Sequence, residues 1–411
     1  MKPLKAILPA TLLSIALLHN AEAQDAPTAE PIDYVRVCDA YGKGYYYIPG
    51  TETCMKISGY VRHEIAVGDD VGGETVSKAF GDQNDTYRSK TRAELKLETK
   101  SDTELGIMTT LISLRSEWKD GKDGSAGQLR RGYIDLAGVR IGLTETAFYE
   151  WTDGYGDVLT DDVIGPASHR TNAISYTYEN KNGISAIIAL EQGYGSESTG
   201  YQYSMDNTGK PFVSHAYALR QQIDDYTPHI VTGLKYSQKW GSIAGVAAYD
   251  SYYQEWAMRV RLNLQLTDKA FFWAMAAYKT ADDYYNVDKS FGSNGIKTFA
   301  DGSRRLGVYR QINSAYGDWG GDWAAWIGGT YDISKKLSFN YQAAYEDAGT
   351  FVTSANVKIK ITSGLVLTPE IAYANFNDDY GYKTNDGLYR VQQSQKGRHA
   401  VAGIIRLQRS F

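Results

Sequence analysis

Between Trp256 and Leu266 every second position is apolar. Trp256, Met258, Val260, Leu262, Leu264 and Leu266 share one phase, while Arg259, Arg261, Asn263 and Gln265 take the other. A period of two belongs to a β-strand with one apolar and one polar face. The pattern recurs along the chain. Leu337, Phe339, Tyr341, Ala343 and Tyr345 oppose Ser338, Asn340, Gln342 and Glu346. Phe351, Val357, Ile359 and Ile361 oppose Asn356, Lys358 and Lys360, and Ile57, Val61 and Ile65 oppose Lys56, Ser58, Arg62 and Glu64. The periodicity predicts sixteen strands, near 55–67, 86–99, 104–116, 129–137, 138–145, 171–179, 184–193, 229–238, 242–250, 256–266, 270–279, 323–332, 337–346, 351–362, 365–374 and 398–411.

The joins alternate in kind. After even-numbered strands come tight polar turns such as Lys100-Ser101-Asp102, Ala137-Gly138, Thr267-Asp268-Lys269 and Ser363-Gly364. These read as hairpin turns. After odd-numbered strands come longer segments rich in Gly, Asp and Tyr, notably 68–85, 145–170, 194–228, 280–322 and 375–397, although the joins near 251–255 and 347–350 are short. Short turns on one rim and long loops on the other mark an outer-membrane barrel. Sixteen strands enclose a lumen too wide for side chains to fill, so the polar face must line water and the apolar face must meet lipid. Lipid offers backbone groups no partner, so the sheet must close on itself. The expected fold is all-β, a sixteen-stranded antiparallel transmembrane barrel over 55–411.

Composition narrows the alternatives. Tyr supplies 33 positions, Gly 41, Pro only 9 and Cys 2, and mean hydropathy is −0.41. A bundle of membrane helices, each needing about 20 consecutive apolar residues, is excluded. A net charge of −5 gives no basic surface for nucleic acid. Met1-Lys2-Pro3-Leu4-Lys5, the apolar run from Ala6 to Leu18 and Ala21-Glu22-Ala23 predict a signal peptide over 1–23. Its removal also takes Lys2, Lys5 and Glu22, so the mature charge becomes −6. Both cysteines, Cys38 and Cys54, fall in the segment 24–54. An even count in an exported chain favours a disulfide, tying that segment to the periplasmic rim. Two buried thiols are the alternative, and the spacing does not suit metal.

Residues Cys38 to Gly42, Tyr46 to Cys54 and Ile57-Ser58-Gly59-Tyr60-Val61-Arg62 closely resemble the start of the mature alphaproteobacterial general porins. Weaker similarity runs through Arg130-Arg131-Gly132-Tyr133-Ile134-Asp135-Leu136 to Leu407-Gln408-Arg409-Ser410-Phe411. The resemblance implies a homotrimer in the outer membrane of a Gram-negative bacterium, in contact with lipid and lipopolysaccharide. It also implies water-filled pores for ions and small hydrophilic solutes, each narrowed by an inward-folded third loop, and a terminal Phe411 that serves assembly. Two departures stand out: Arg409 where an apolar residue is usual, and Met108 and Ile112 in the third strand, which would alter the pore lining.

The third loop, 145–170, carries Glu145, Glu150, Asp153, Asp157, Asp161 and Asp162, and no Lys or Arg before Arg170. By the resemblance, Asp157 and Asp161, with Asp162, Asp153 and Glu150, form the acidic side of the constriction. Arg62, Arg92, Arg130 and Arg170 form the basic side, with Arg88, Lys90 and Arg140 as further candidates. Arg130 and Arg131 are adjacent, so strand alternation lets only one face the pore, and Arg130 is the choice. The net charge and the acidic loop suggest a modest cation preference. Trp151, Tyr155, Trp319, Trp323 and Trp326 read as interface girdle. No catalytic, metal or cofactor constellation is found: the six His lack metal spacing and no G-x-S-x-G occurs. The alternatives to a diffusion channel are a substrate-specific pore, for instance for sugars, and an adhesin or receptor role for the long loops.

Overall fold

In a computed structural model, residues 36–69, 71, 87–288, 292, 295–311, 314–376, 389–393 and 398–411 are described. The expected signal peptide lies outside them. Among the described residues, sixteen strands build one closed sheet: β1 (Cys54–Gly68), β2 (Arg88–Thr103), β3 (Gly106–Lys119), β4 (Lys122–Leu136), β5 (Val139–Glu145), β6 (Arg170–Glu179), β7 (Ile184–Glu191), β8 (His229–Gln238), β9 (Gly241–Asp250), β10 (Glu255–Thr267), β11 (Ala270–Lys279), β12 (Trp323–Ser334), β13 (Leu337–Glu346), β14 (Phe351–Thr362), β15 (Leu365–Phe376) and β16 (Arg398–Ser410). Each pairs antiparallel with its neighbour in the chain. β16 then pairs with β1, from Tyr60 opposite Ser410 to Gly68 opposite Ala402, and the barrel closes.

The alternation sorts each strand between two environments. Along β10, Met258 and Val260 stay about half exposed on the outside, whereas Arg259 and Arg261, one residue away, are buried within the lumen. Ile57, Val61 and Ile65 on β1 and Ile405 and Leu407 on β16 continue the apolar outer belt. Ile112, with Met108 in its phase, also faces outward, and Leu111 and Ser113 point in. Those two residues therefore do not line the pore, contrary to expectation. Arg409 lies on the outer phase at the short-turn rim, and its guanidinium turns back to the carbonyls of Ser363 (2.8 Å) and Ser410 (2.7 Å). There it satisfies a turn while keeping its charge out of hydrocarbon.

Two segments expected as loops contain strand. Residues 117–128 extend β3 and β4 around Asp120 and Gly121, whose φ values of 49° and 84° suit a tight primed turn. Both faces of this extension meet water, so no apolar alternation marks it. The long loops at 194–228 and 280–322 contribute Gly193–Met205, Pro211–Gln222, Tyr284–Val287, Ile296–Thr298 and Arg304–Gln311 to a second sheet. Tyr389–Gln393, from the loop after β15, joins it in parallel to Arg304–Gln311. Tyr203, Tyr285, Leu306 and Val308 bury together within this sheet.

At the short-turn rim Cys38 and Cys54 are bridged, with Cα atoms 6.1 Å apart. Both are buried beside Tyr45, and Tyr46–Tyr47 adds to the first residues of β1. The bridge closes a loop of 16 residues of sequence separation, worth about 3 kcal/mol in loop entropy. That stabilisation is local. Replacing both cysteines by Ser is expected to loosen the segment so that trypsin cleaves after the already exposed Lys43, while leaving single-channel conductance unchanged. Limited proteolysis of the reconstituted protein checks this, and a changed conductance would show that the segment reaches the pore.

Candidate functional site

Between β5 and β6 the chain turns inward rather than outward. Thr146 caps a short helix, α1 (Ala147–Glu150), accepting from the Phe148 amide at 3.2 Å. The Thr146 amide donates to the His169 carbonyl at 2.9 Å, so both ends of the loop are pinned together. What lies between is too apolar for open water. Phe148, Trp151, Val158 and Ile164 are all buried, and the partners that cover this loop, Trp273, Trp319 and Trp326, point into the lumen. Trp151, Trp319 and Trp326 are thus interior residues and not the expected girdle. Trp323, about 41% exposed and packed with Tyr345 at 5.8 Å, sits on the outer surface as a girdle residue does. Tyr155 stays within the loop against Tyr149.

Polar side chains from one half of the barrel fasten the loop along its length. Glu191 on β7, almost fully buried, accepts from Thr146 Oγ1 (2.8 Å), the Ala147 amide (2.7 Å) and Tyr316 (2.8 Å). Arg259 on β10 donates to Thr152 Oγ1 (2.8 Å) and to the carbonyls of Pro166 and Phe148. Arg261 lies over Trp273, 4.2 Å from the ring centroid, and donates to the Gly154 carbonyl at 2.6 Å. Further on, Gln342 accepts from Gly156, Asn356 donates to the Asp157 carbonyl, and Trp326 donates to the Ile164 carbonyl. Glu370 on β15 accepts from the amides of Leu159 (2.5 Å) and Thr160 (2.7 Å). The loop therefore lies against β7 to β15, reaches Arg131 on β4 and Arg140 on β5 only through Glu150, and leaves β16 and β1 to β3 uncovered.

The uncovered wall is basic. Glu64 on β1 takes Arg62 at 3.1 Å, Lys90 at 3.0 Å and Arg406 at 2.6 Å. Glu94 accepts from Ser113 (2.9 Å) and Tyr60 (3.1 Å) and pairs with Arg115 at 3.5 Å, while Arg92 pairs with Glu117. A cavity of about 320 Å³ separates this wall from the loop segment Val158 to Asp162; Arg62, Arg88, Lys90, Arg92 and Arg406 are among its lining. Burial and the neighbouring Asp162 push the Asp161 carboxyl up to about 7, with Arg406 opposing the shift. At the loop's other end burial drives His169 down to about 3, leaving it a neutral ring stacked 4.3 Å from Tyr194.

Of the acidic residues singled out from the sequence, Asp161 and Asp162 line this cavity. The other three are engaged elsewhere. Glu150 pairs with Arg131 at 2.8 Å and Arg140 at 3.6 Å, Asp153 with Lys235 at 3.2 Å, and Asp157 with Lys358. On the basic side, Arg62 and Arg92 line the cavity, and Arg170 donates to the Leu129 carbonyl. Strict alternation does not apply at Arg130. Ser113 lies opposite Arg131 and Leu114 opposite Leu129, so Arg130 is the extra residue of a β-bulge. The bulge aims both arginines inward: Arg131 reaches Glu150, and Arg130 sits within electrostatic reach of Arg115 and Arg170. Arg406 and Arg115 were missed. Arg406 falls on the polar phase opposite Ile405 and Leu407 and was legible there; Arg115 lies in a strand whose phase reads either way.

A closed barrel with an apolar exterior, a charged lumen and one loop folded across that lumen is an outer-membrane diffusion channel. The chain belongs to the porin family: the model of the Porin subfamily matches residues 25–404. Porin Omp2b of Brucella suis is 38% identical over 424 residues, covering 99% of this chain and 100% of the relative. Porin Omp2b of Brucella abortus (strain 2308) is 38% identical over 421 residues, at 99% of each chain. Among solved structures, the outer membrane channel DcaP of Acinetobacter baumannii aligns with a TM-score of 0.57 at 15% identity, covering 89% of this chain and 99% of that one. The anion-selective porin from Comamonas acidovorans aligns at 0.50 with 14% identity, covering 88% and 100%. The protein is an alphaproteobacterial porin of the Gram-negative outer membrane.

Proposed function

We propose that ions and small hydrophilic solutes pass at their tightest between the loop segment Val158 to Asp162 and the wall bearing Arg62, Arg92 and Arg406. The loop's attachment to the opposite half of the barrel carries this reading. Its backbone is held by Gln342, Asn356 and Glu370 on β13 to β15, so the remaining aqueous path runs along the basic wall. In this reading Asp161 and Asp162 form the acidic edge, and Glu150, Asp153 and Asp157 brace the loop through their ion pairs. The functional unit is a homotrimer, as the resemblance to general porins implies.

Exposed Asp162 offers a direct test. Because the native cysteines are bridged, an Asp162→Cys protein carries one reactive thiol. Labelling it with a bulky methanethiosulfonate is expected to cut single-channel conductance at least by about half, since the added group fills much of a passage of this size. The same label at Asp282→Cys, outside the cavity lining, is expected to change conductance little. Equal effects at both sites would remove the constriction from this position.

A further inference from the structure

We propose that the channel prefers small inorganic and organic anions, its sign set by the lumen-facing guanidiniums of Arg62, Arg92, Arg115 and Arg406. This replaces the cation preference suggested by the net charge, and it rests on the constriction proposed above. Charges screen over about 8 Å at physiological ionic strength, so the groups beside the passage outweigh the total on the chain. Around that passage the acids are either engaged or set back.

On the wall, Glu64 and Glu94 lie behind the bases, Glu117 is as open as its partner Arg92, and Asp120 is the wall's one exposed acid in the cavity lining. Side chains of Arg62, Arg92, Arg115 and Arg406 keep 12–18% of their surface open and Lys90 keeps 27%, against 9% for Glu64 and Glu94. A passing ion therefore meets guanidinium first. Glu64 alone is shared by three bases, Arg62, Lys90 and Arg406, so that cluster keeps a positive excess. Arg130 continues the row, acted on electrostatically by Arg115 and Arg170 more than by Glu145 or Glu94. Arg62 also faces Arg92 directly across the β1–β2 ladder. Like charges opposite one another weaken a sheet; Glu64 and Glu117 offset this, and the pair still presents two guanidiniums to the passage.

On the loop, three of the five acids assigned to the constriction are neutralised by their own partners: Glu150 by Arg131 and Arg140, Asp153 by Lys235, and Asp157 by Lys358. Asp161 and Asp162 remain at the cavity. Burial raises the Asp161 carboxyl to about 7, so it is only partly ionised at neutral pH, which weakens the loop's negative edge further. Arginine holds its charge throughout this range and presents a fork that suits carboxylate and phosphate oxygens.

The test is the zero-current potential of the reconstituted protein in a planar bilayer, with KCl at different concentrations on the two sides. The expected chloride-to-potassium permeability ratio at low salt is about 3, from a focused local potential, and it falls toward unity as salt rises. A ratio at or below unity would overturn the proposal. Arg62→Gln combined with Arg406→Gln is expected to abolish the preference. Should that barrel fail to assemble, Asp162→Asn removes no base and is expected to raise the ratio; an unchanged or lowered ratio would count against the proposal. Block of the labelled Asp162→Cys channel together with cation preference in the unmodified protein would defeat this inference while leaving the constriction standing.

Discussion

Replacing Arg259 by Met is expected to release the third loop, giving noisy channels of raised mean conductance and faster swelling of liposomes in larger sugars. The guanidinium is fully enclosed and holds three separated points of the loop: Thr152 Oγ1, the Phe148 carbonyl and the Pro166 carbonyl. Hydrogen bonds from a charged donor contribute about 1.5–3 kcal/mol each, and the orphaned carbonyls add desolvation penalties. Met fills part of the volume and makes none of these bonds. Because the sixteen-stranded ladder does not depend on Arg259 side-chain contacts, the barrel is expected to assemble normally. Arg259→Lys, which keeps charge without the planar fork, should fall between the two. Wild-type noise and conductance in Arg259→Met would mean that the remaining anchors, Glu191, Arg261 and Glu370, suffice.

Removing Phe411 is expected to reduce assembled, heat-resistant porin in the outer membrane severalfold. Its amide donates to the Gly59 carbonyl and its carbonyl accepts from the Gly59 amide, both at 3.0 Å, which extends the β16–β1 seam past Tyr60 and Ser410. Its ring lies against Gly59, where an added Cβ would meet Phe411 Cζ at 3.1 Å and the Glu94 carbonyl oxygen at 2.2 Å. An unpaired edge within a bilayer leaves backbone groups without water, at a cost of several kcal/mol for each. Truncation opens that edge at its last pair. Comparison of unheated and heated samples by electrophoresis checks the outcome, and undiminished heat-resistant porin would show that the seam tolerates losing this pair. Gly59→Val should damage the same seam from the β1 side.

The barrel was legible because its instructions are local. A strand between lipid and water needs only a period of two, and Trp256 to Leu266 display it with no knowledge of any partner. Hairpin joins are equally local, as Ala137-Gly138 shows with φ values of 53° and 84°. Where both faces meet water the signal vanishes, as at 117–128, and the strands within the long loops bury too few apolar side chains, Tyr203, Tyr285, Leu306 and Val308 among them, to set a readable alternation. The acidic loop was legible as composition and as a resemblance, but not as an arrangement. Six acids look alike in a sequence, and only their partners separate them.

Those partners lie far away along the chain. Asp157 meets Lys358 across 201 residues, Leu159 meets Glu370 across 211, and Thr152 meets Arg259 across 107. No local pattern encodes such pairings, because they depend on how far around the barrel each strand falls and how the loop lies within it. The same holds for Arg130 and Arg131, where a single bulge in β4 overrides the parity that alternation imposes. By itself, then, the sequence determined the closed barrel, the lipid and water faces, the seam at Phe411 and the family. Tertiary structure alone decided which charges meet across the lumen, because a side chain's charge is local while its neutralisation depends on what folding brings within a few ångströms.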